Sequence, residues 1–217
     1  MRSILLLTTL ITAAFFSISS TQAADDHPSI ATAKAMTSAV HAYTNANREV
    51  ASDAFIAGLQ KTLEPFVSFR FMVAESMGAA RWKEATRGQR DQLEDAFGFT
   101  MSRTFYSAFV EKILQDESGQ FQTKPEEVKF GIKGKESGKL FLVDVSIPGF
   151  GDDGNTGKFL FVTGNFGDQG GWQLVDFGGQ GVRLVKTYQP QYFDIIRDQG
   201  IAGLISVLQN KVAEASE

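Results

Sequence analysis

The chain contains no cysteine and only two histidines, His27 and His41. The absence of cysteine excludes disulfide bonds, thiolate nucleophiles and cysteine-based zinc sites. Neither histidine has neighbours in a metal-ligand or catalytic-triad pattern, so no histidine-based centre is expected. Packing must therefore stabilise the fold, and carboxylates could still do acid or base chemistry inside an apolar pocket.

Positive charge is also scarce. The chain has 21 Lys and Arg against 25 Asp and Glu, and its net charge is −4. Strong binding to nucleic acid or broad adhesion to an anionic membrane is therefore not expected. The chain is rich in phenylalanine, with 19 residues against two tryptophans and four tyrosines. Such an aromatic supply suits a wide apolar interior.

The N-terminal segment has the features of a secretory signal peptide. Arg2 precedes an apolar run at residues 4–16, and small residues lie just before Ala24. The run falls short of the roughly 20 apolar residues that span a bilayer. We expect residues 1–23 to be removed as a signal peptide, which leaves one exported domain over residues 24–217.

The first half of the mature chain has the periodicity of amphipathic helices. Ser29 is positioned to cap the first helix, and later helices are predicted over residues 49–63 and 66–77. Thr86 and Gln89 match a capping box, which predicts the start of a further, long helix.

After Asp116 the apolar residues alternate with polar ones, which predicts strands. The strands are expected over residues 128–132, 141–147, 159–163, 172–177 and 182–185, and a last helical pair over residues 188–198 and 201–212. Helices that precede and follow a run of strands indicate an α+β fold, in which helices pack on an antiparallel sheet.

Two carboxylates lie within the predicted strands. Asp144 alternates with Val143 and Val145, so it is expected to face solvent. Asp176 is expected to make structural hydrogen bonds near the end of the sheet rather than to act in catalysis, because the sequence supplies no partner for it.

Three runs near the C-terminus carry a family resemblance: Gly-Trp-Gln-Leu-Val-Asp-Phe at residues 171–177, Gly-Val-Arg-Leu-Val at 181–185 and Tyr-Gln-Pro-Gln-Tyr-Phe at 188–193. In this order they resemble the G-W-x-V-x-D-V, G-V-S-L-V and Y-R-x-Q-F blocks of the MlaC/toluene-tolerance family of periplasmic phospholipid carriers. Further blocks resemble that family in the same order, at residues 63–69, 77–82, 85–90 and 103–105.

The resemblance implies a curved antiparallel sheet of the nuclear-transport-factor-like or cystatin-like type, with helices closing over its concave face and acyl chains held between the two layers. It implies a periplasmic carrier, not an enzyme, with bound phospholipid as cargo and no cofactor. Such carriers work between an outer-membrane lipoprotein complex and an inner-membrane transporter with an Mce-domain subunit, and so help to keep the outer membrane asymmetric.

Periodicity and the resemblance together identify the side chains expected to line the acyl pocket: Phe69, Met72, Phe97, Met101, Phe105, Val143, Val145, Phe161, Trp172, Leu174 and Val182. Alternation places Arg183 on the opposite strand face from Val182. Arg183 is therefore expected either to be a solvated charge or to form, with Lys186, a basic spot at the pocket rim or at a docking face.

Other functions remain open. Ser68, Phe105 and Arg183 stand where the family usually has Asp, Tyr and Ser, which is typical of a divergent branch with another cargo, such as a hopanoid. A periplasmic adaptor or chaperone would have an ordinary core without a cavity. An enzyme on a similar fold would need a polar residue inside the pocket.

Overall fold

The structure is a computed structural model that describes residues 27–48, 50, 52–110, 123–151, 155–166, 171–179 and 181–213. The predicted signal peptide lies outside the described residues. In the described part of the chain, none of the helices combines the length and the apolar character that a membrane crossing needs.

Helices form the first half of the described chain. They are α1 (Pro28–Ala46), α2 (Ser52–Leu63), α3 (Phe69–Met77), α4 (Ala79–Glu84) and α5 (Arg87–Phe105). A π-helical segment (Tyr106–Val110) continues α5, and a 3-10 turn (Pro125–Glu127) precedes the sheet. A last helix, α6 (Leu184–Ala213), follows the sheet.

Local hydrogen bonds explain where these helices begin. The Gln89 N–H donates to Thr86 Oγ1 at 3.2 Å and the Thr86 N–H donates to Gln89 Oε1 at 2.9 Å, which confirms the predicted capping box. The prediction that Ser29 caps α1 is wrong, because the N-cap residue is His27, whose Nδ1 accepts from the Ser29 N–H at 3.2 Å. Pro28 accounts for the shift, since proline is preorganised for the first helical position.

The sheet is an antiparallel meander. Its strands β1 (Lys129–Ser137), β2 (Leu140–Ile147), β3 (Gly157–Asn165), β4 (Trp172–Gly179) and β5 (Val182–Arg183) lie side by side in chain order. Val143 lies opposite Phe161 and Val145 lies opposite Phe159, and these side chains pack under the helices. Asp144 between them is exposed, as the alternation predicts. The predicted α+β architecture with an antiparallel sheet is confirmed.

A backbone clamp joins the helical layer to the sheet. The Leu174 N–H donates to the Phe66 carbonyl at 2.8 Å, and the Ser68 N–H donates to the Leu174 carbonyl at 2.9 Å. Val67 thereby forms a parallel bridge with Leu174. The connection between α2 and α3 thus pairs with the edge of β4, which fixes this end of the helical layer.

The strand predicted over residues 182–185 is only half correct, because β5 ends at Arg183 and α6 begins at Leu184. The Val185 N–H is bound by Asp176 Oδ1 at 3.1 Å, so a carboxylate from β4 satisfies a free donor at the start of the helix. Gly200 has a φ of 70° and a ψ of −177°, which breaks α6 and confirms the predicted final helical pair.

Candidate functional site

An apolar cavity of about 50 Å³, called here the outer cavity, lies between α1 and the sheet. It is bordered by α1, by the end of α5 with the π-helical segment, by the residues around the 3-10 turn, and by β2, β3 and the loop between them. The lining residues are Met36, Thr37, Val40, His41, Phe105, Val110, Thr123, Pro125, Val128, Ile147, Phe150 and Phe161.

A smaller space of about 10 Å³, the inner hollow, lies toward the clamp on β4. All its lining side chains are apolar: Met36, Leu63, Val67, Phe69, Met101, Phe105, Phe161, Leu174 and Phe177. Met36, Phe105 and Phe161 border both spaces, so they form the partition between them.

The two spaces are small for a lipid. A cavity of about 150 Å³ accommodates one benzene ring, and the outer cavity has about a third of that volume. Phe55, Phe97 and Phe161 are buried in the core, so the phenylalanine content fills the interior rather than leaving it wide. A larger apolar ligand therefore fits only if the elements that border the outer cavity move apart.

The two hydroxyl side chains at the outer cavity are hydrogen-bonded to backbone carbonyls. Thr37 Oγ1 donates to the Ala33 carbonyl at 2.9 Å, and Thr123 Oγ1 donates to the Pro148 carbonyl at 2.6 Å. Burial lowers the pKa of the His41 imidazole; Glu126 opposes that shift and Arg48 adds to it. Among the described residues, no three His, Asp or Glu side chains come together as a metal site would require. The lining therefore suits an apolar ligand.

Nine of the predicted lining residues are buried or half-buried in the interior. Those that border the two spaces are Phe69, Met101, Phe105, Phe161 and Leu174. Those that lie in the core without bordering either space are Met72, Phe97, Val143 and Val145.

Two predicted lining residues lie elsewhere. Trp172 packs at the N-terminus of α1, where its ring is 4.9 Å from the ring of His27 and its carbonyl accepts from Thr32 Oγ1 at 3.2 Å. Val182 is 57% exposed and borders neither the outer cavity nor the inner hollow. The reason is that β5 pairs only with Gly178 and Gly179, at the end of the sheet.

The α1 side of the outer cavity is absent from the sequence-based prediction. Met36 and Val40 are four residues apart, a spacing that places both on one helical face. The spacing shows that this face is buried, but it does not show what the face covers. Thr123, Pro125 and Phe150 lie outside the regular strands and carry no periodic signal.

Arg183 is not a solvated charge, so that prediction is wrong, and its role in a basic spot with Lys186 at a pocket rim or docking face stays a prediction. Its Nε donates to Asp176 Oδ2 at 2.7 Å, and its guanidinium also pairs with Glu136. Two carboxylates, from β4 and β1, thus pair with the Arg183 guanidinium within the fold. Lys186, the other predicted member of that spot, is exposed in the first turn of α6.

Asp176 has the structural role that the sequence predicts. Its side chain is 2% exposed and binds both Arg183 and the Val185 N–H. Burial raises the pKa of Asp176, and the Val185 N–H and the Arg183 guanidinium oppose that shift. Asp176, Arg183 and Val185 are called the β4–α6 corner below, because they join the last long strand to the last helix.

A match to a known family covers most of the chain. Residues 33–210 match the model of the MlaC protein family. The chain belongs to the MlaC family. The matched residues include every side chain that borders the outer cavity and the inner hollow, and the resemblance found in the sequence is confirmed.

A solved structure has a similar fold. It is the phospholipid-binding protein from Ralstonia solanacearum in complex with a phospholipid, and it aligns with a TM-score of 0.61 at 20% sequence identity. The alignment covers 87% of this chain and 99% of that chain. This likeness shows that the MlaC-family member shares the fold of helices on an open antiparallel sheet. No curated protein sequence matches the chain.

Proposed function

We propose that this MlaC-family protein binds phospholipid by its acyl chains between α1 and the sheet, without catalysis, and carries it between membranes. The observation that carries the proposal is the apolar cavity at Met36, Val40, Phe105 and Phe161. Membership of the MlaC family supports it. The similar structure from Ralstonia solanacearum, which holds a phospholipid, supports it further.

The chemistry of the cargo explains why a carrier needs such an interior. Two chains of about sixteen carbons carry about 30 methylenes, and at about 0.8 kcal/mol each their exposure to water costs about 24 kcal/mol. A lipid therefore crosses an aqueous space only when a protein covers its chains. Apolar side chains with flexible members such as Met36 and Met101 adapt to chains of different shape.

Loading requires the two layers to separate at one end. The clamp at Leu174 and the packing of His27 on Trp172 hold the layers together near β4. Met36 and Val40, in contrast, meet the sheet through apolar contacts, which are non-directional and can form again around an acyl chain. We propose that α1 moves away from the sheet at these two residues.

Replacing Val40 with phenylalanine is expected to reduce bound lipid about fivefold or more, because filling a packed space costs about 1–3 kcal/mol and about 1.4 kcal/mol corresponds to a factor of ten. The measurement is solvent extraction of the purified protein followed by mass spectrometry of the lipids. Ala42→Phe on the exposed face of α1 is the matched control and should retain lipid like the wild type. A folded Val40→Phe variant with wild-type lipid content would contradict the proposed site.

The same extraction distinguishes the alternative functions. Phospholipid in the extract supports the proposal, and a hopanoid would assign the chain to a branch with another cargo. An extract without lipid would favour an adaptor or chaperone. The small size of the outer cavity is the observation that supports this alternative.

We further propose that the protein acts in the periplasm, where it exchanges phospholipid with an outer-membrane lipoprotein complex and an inner-membrane Mce-domain transporter. Its family supports this role, which would help to maintain the lipid asymmetry of the outer membrane. The signal-peptide features of residues 1–23 support export.

Export makes a direct prediction about the mature chain. Protein recovered from the periplasm of a Gram-negative expression host is expected to begin at Ala24, because small residues precede it at the positions that cleavage requires. Intact-mass spectrometry measures this. A product that keeps Arg2, or one that stays in the membrane fraction, would contradict export.

A further inference from the structure

The partition between the outer cavity and the inner hollow has one half-buried member. Met36 and Phe161 are 3% and 5% exposed, and Phe161 lies in β3 with a strand on each side. Phe105 is less buried than either. Of the three partition residues, Phe105 is therefore the one whose side chain can change with the least disturbance to the core.

The backbone at Phe105 is also distinctive. Phe105 is the last residue of α5, and the π-helical segment begins at the next residue, Tyr106, whose N–H is shared between the Ser102 and Arg103 carbonyls. Short π-helical segments often occur at functional sites. The Phe105 ring lies edge-on to Phe177, a lining residue of the inner hollow, with 6.3 Å between the ring centres. The ring thus stands between the two spaces.

We propose that Phe105 sets the length of acyl chain that the protein accepts, by closing the inner hollow to the end of the chain. The proposal rests on the proposed lipid-binding function. With the ring in place, a chain that enters beside α1 meets Phe105 before it reaches the inner hollow. A smaller side chain joins the two spaces, and the hollow beyond it is lined by apolar side chains only.

The test compares chain-length preference among variants of the mature protein. Each variant is incubated with vesicles that contain equal amounts of phosphatidylcholines differing only in chain length, and the bound lipids are measured by mass spectrometry. Phe105→Ala is expected to shift the bound lipids toward longer chains, with a relative gain of up to about fourfold for each additional methylene that the joined space covers. Phe105→Trp is expected to shift them toward shorter chains.

Phe99→Ala is the matched control, because Phe99 lies on the same helix and borders neither space. It should leave the chain-length profile unchanged, and Phe105→Leu repeats the test with a smaller loss of packing. Normal total lipid with an unchanged profile in the Phe105 variants would overturn the role of Phe105 but not the lipid-binding function. The same shift in Phe99→Ala would also overturn it, whereas a wild type that binds no lipid would reject the proposed function itself.

Discussion

Replacing Arg183 with methionine is expected to lower the free energy of unfolding by about 3 kcal/mol or more. Removing one partner of a buried ion pair typically costs about 3–5 kcal/mol, because the other charge stays buried without compensation. Here the buried charge that remains is that of Asp176, whose side chain is 2% exposed and lies 2.7 Å from Arg183 Nε, and the partly exposed Glu136 also loses its partner. Denaturant titration followed by circular dichroism measures the loss.

An exposed ion pair in the same sheet provides the control. Lys133 and Asp144 are 3.7 Å apart and more than half exposed, so Asp144→Ala should cost less than about 1 kcal/mol. The double variant Arg183→Met with Asp176→Asn should recover part of the loss, because it leaves no buried charge. A loss in Arg183→Met no larger than that in Asp144→Ala would show that the β4–α6 corner does not stabilise the fold.

The loss in Arg183→Met is also expected to depend on pH. Burial raises the pKa of Asp176, and without Arg183 less opposes that effect. A carboxyl whose pKa is higher in the folded chain than in the unfolded chain binds its proton more tightly when folded, so folded stability is lost as the pH rises through that pKa. The difference between Arg183→Met and the wild type should therefore be smaller at acid pH than at neutral pH.

The corner also shows what the sequence could not predict about the fold. The start of α5 is readable because Thr86 and Gln89 are three residues apart and bond each other. The start of α6 cannot be predicted in this way, because apolar and other side chains alternate along residues 182–185 as they do in a strand. The contact that fixes the start of α6 is the hydrogen bond from the Val185 N–H to Asp176. It forms because the β4–β5 hairpin brings β4 close to the first turn of α6.

For the candidate site too, the sequence predicts which side chains are buried but not which of them border the cavity. Period-two and helical patterns indicate which face of an element is buried, and they place Phe69, Met101 and Phe161 in the interior. They do not distinguish Met101, which borders the inner hollow, from Met72, which is packed elsewhere in the core. That difference depends on the spacing between the helical layer and the sheet, which a pattern along a single element does not contain.

Gly178→Ala is expected to destabilise the protein by about 3 kcal/mol, the upper end of the usual cost of overpacking. A Cβ at Gly178 would overlap the backbone carbonyl oxygen of Val182 across the β4–β5 hairpin. Backbone atoms cannot rotate away as a side chain can, so the pairing of Gly178 with Arg183 must loosen. Since that pairing holds Arg183 beside Asp176, the substitution should also weaken the β4–α6 corner.

The matched control for Gly178→Ala is Gly134→Ala in β1. A Cβ at Gly134 meets no atom within 4 Å, so this change should alter the free energy of unfolding by less than about 0.5 kcal/mol. Thermal melting of both variants compares their losses of stability. If Gly178→Ala and Gly134→Ala have the same melting temperature, the β4–β5 hairpin does not hold Arg183 in place. The destabilisation expected for Arg183→Met must then come from the ion pair alone.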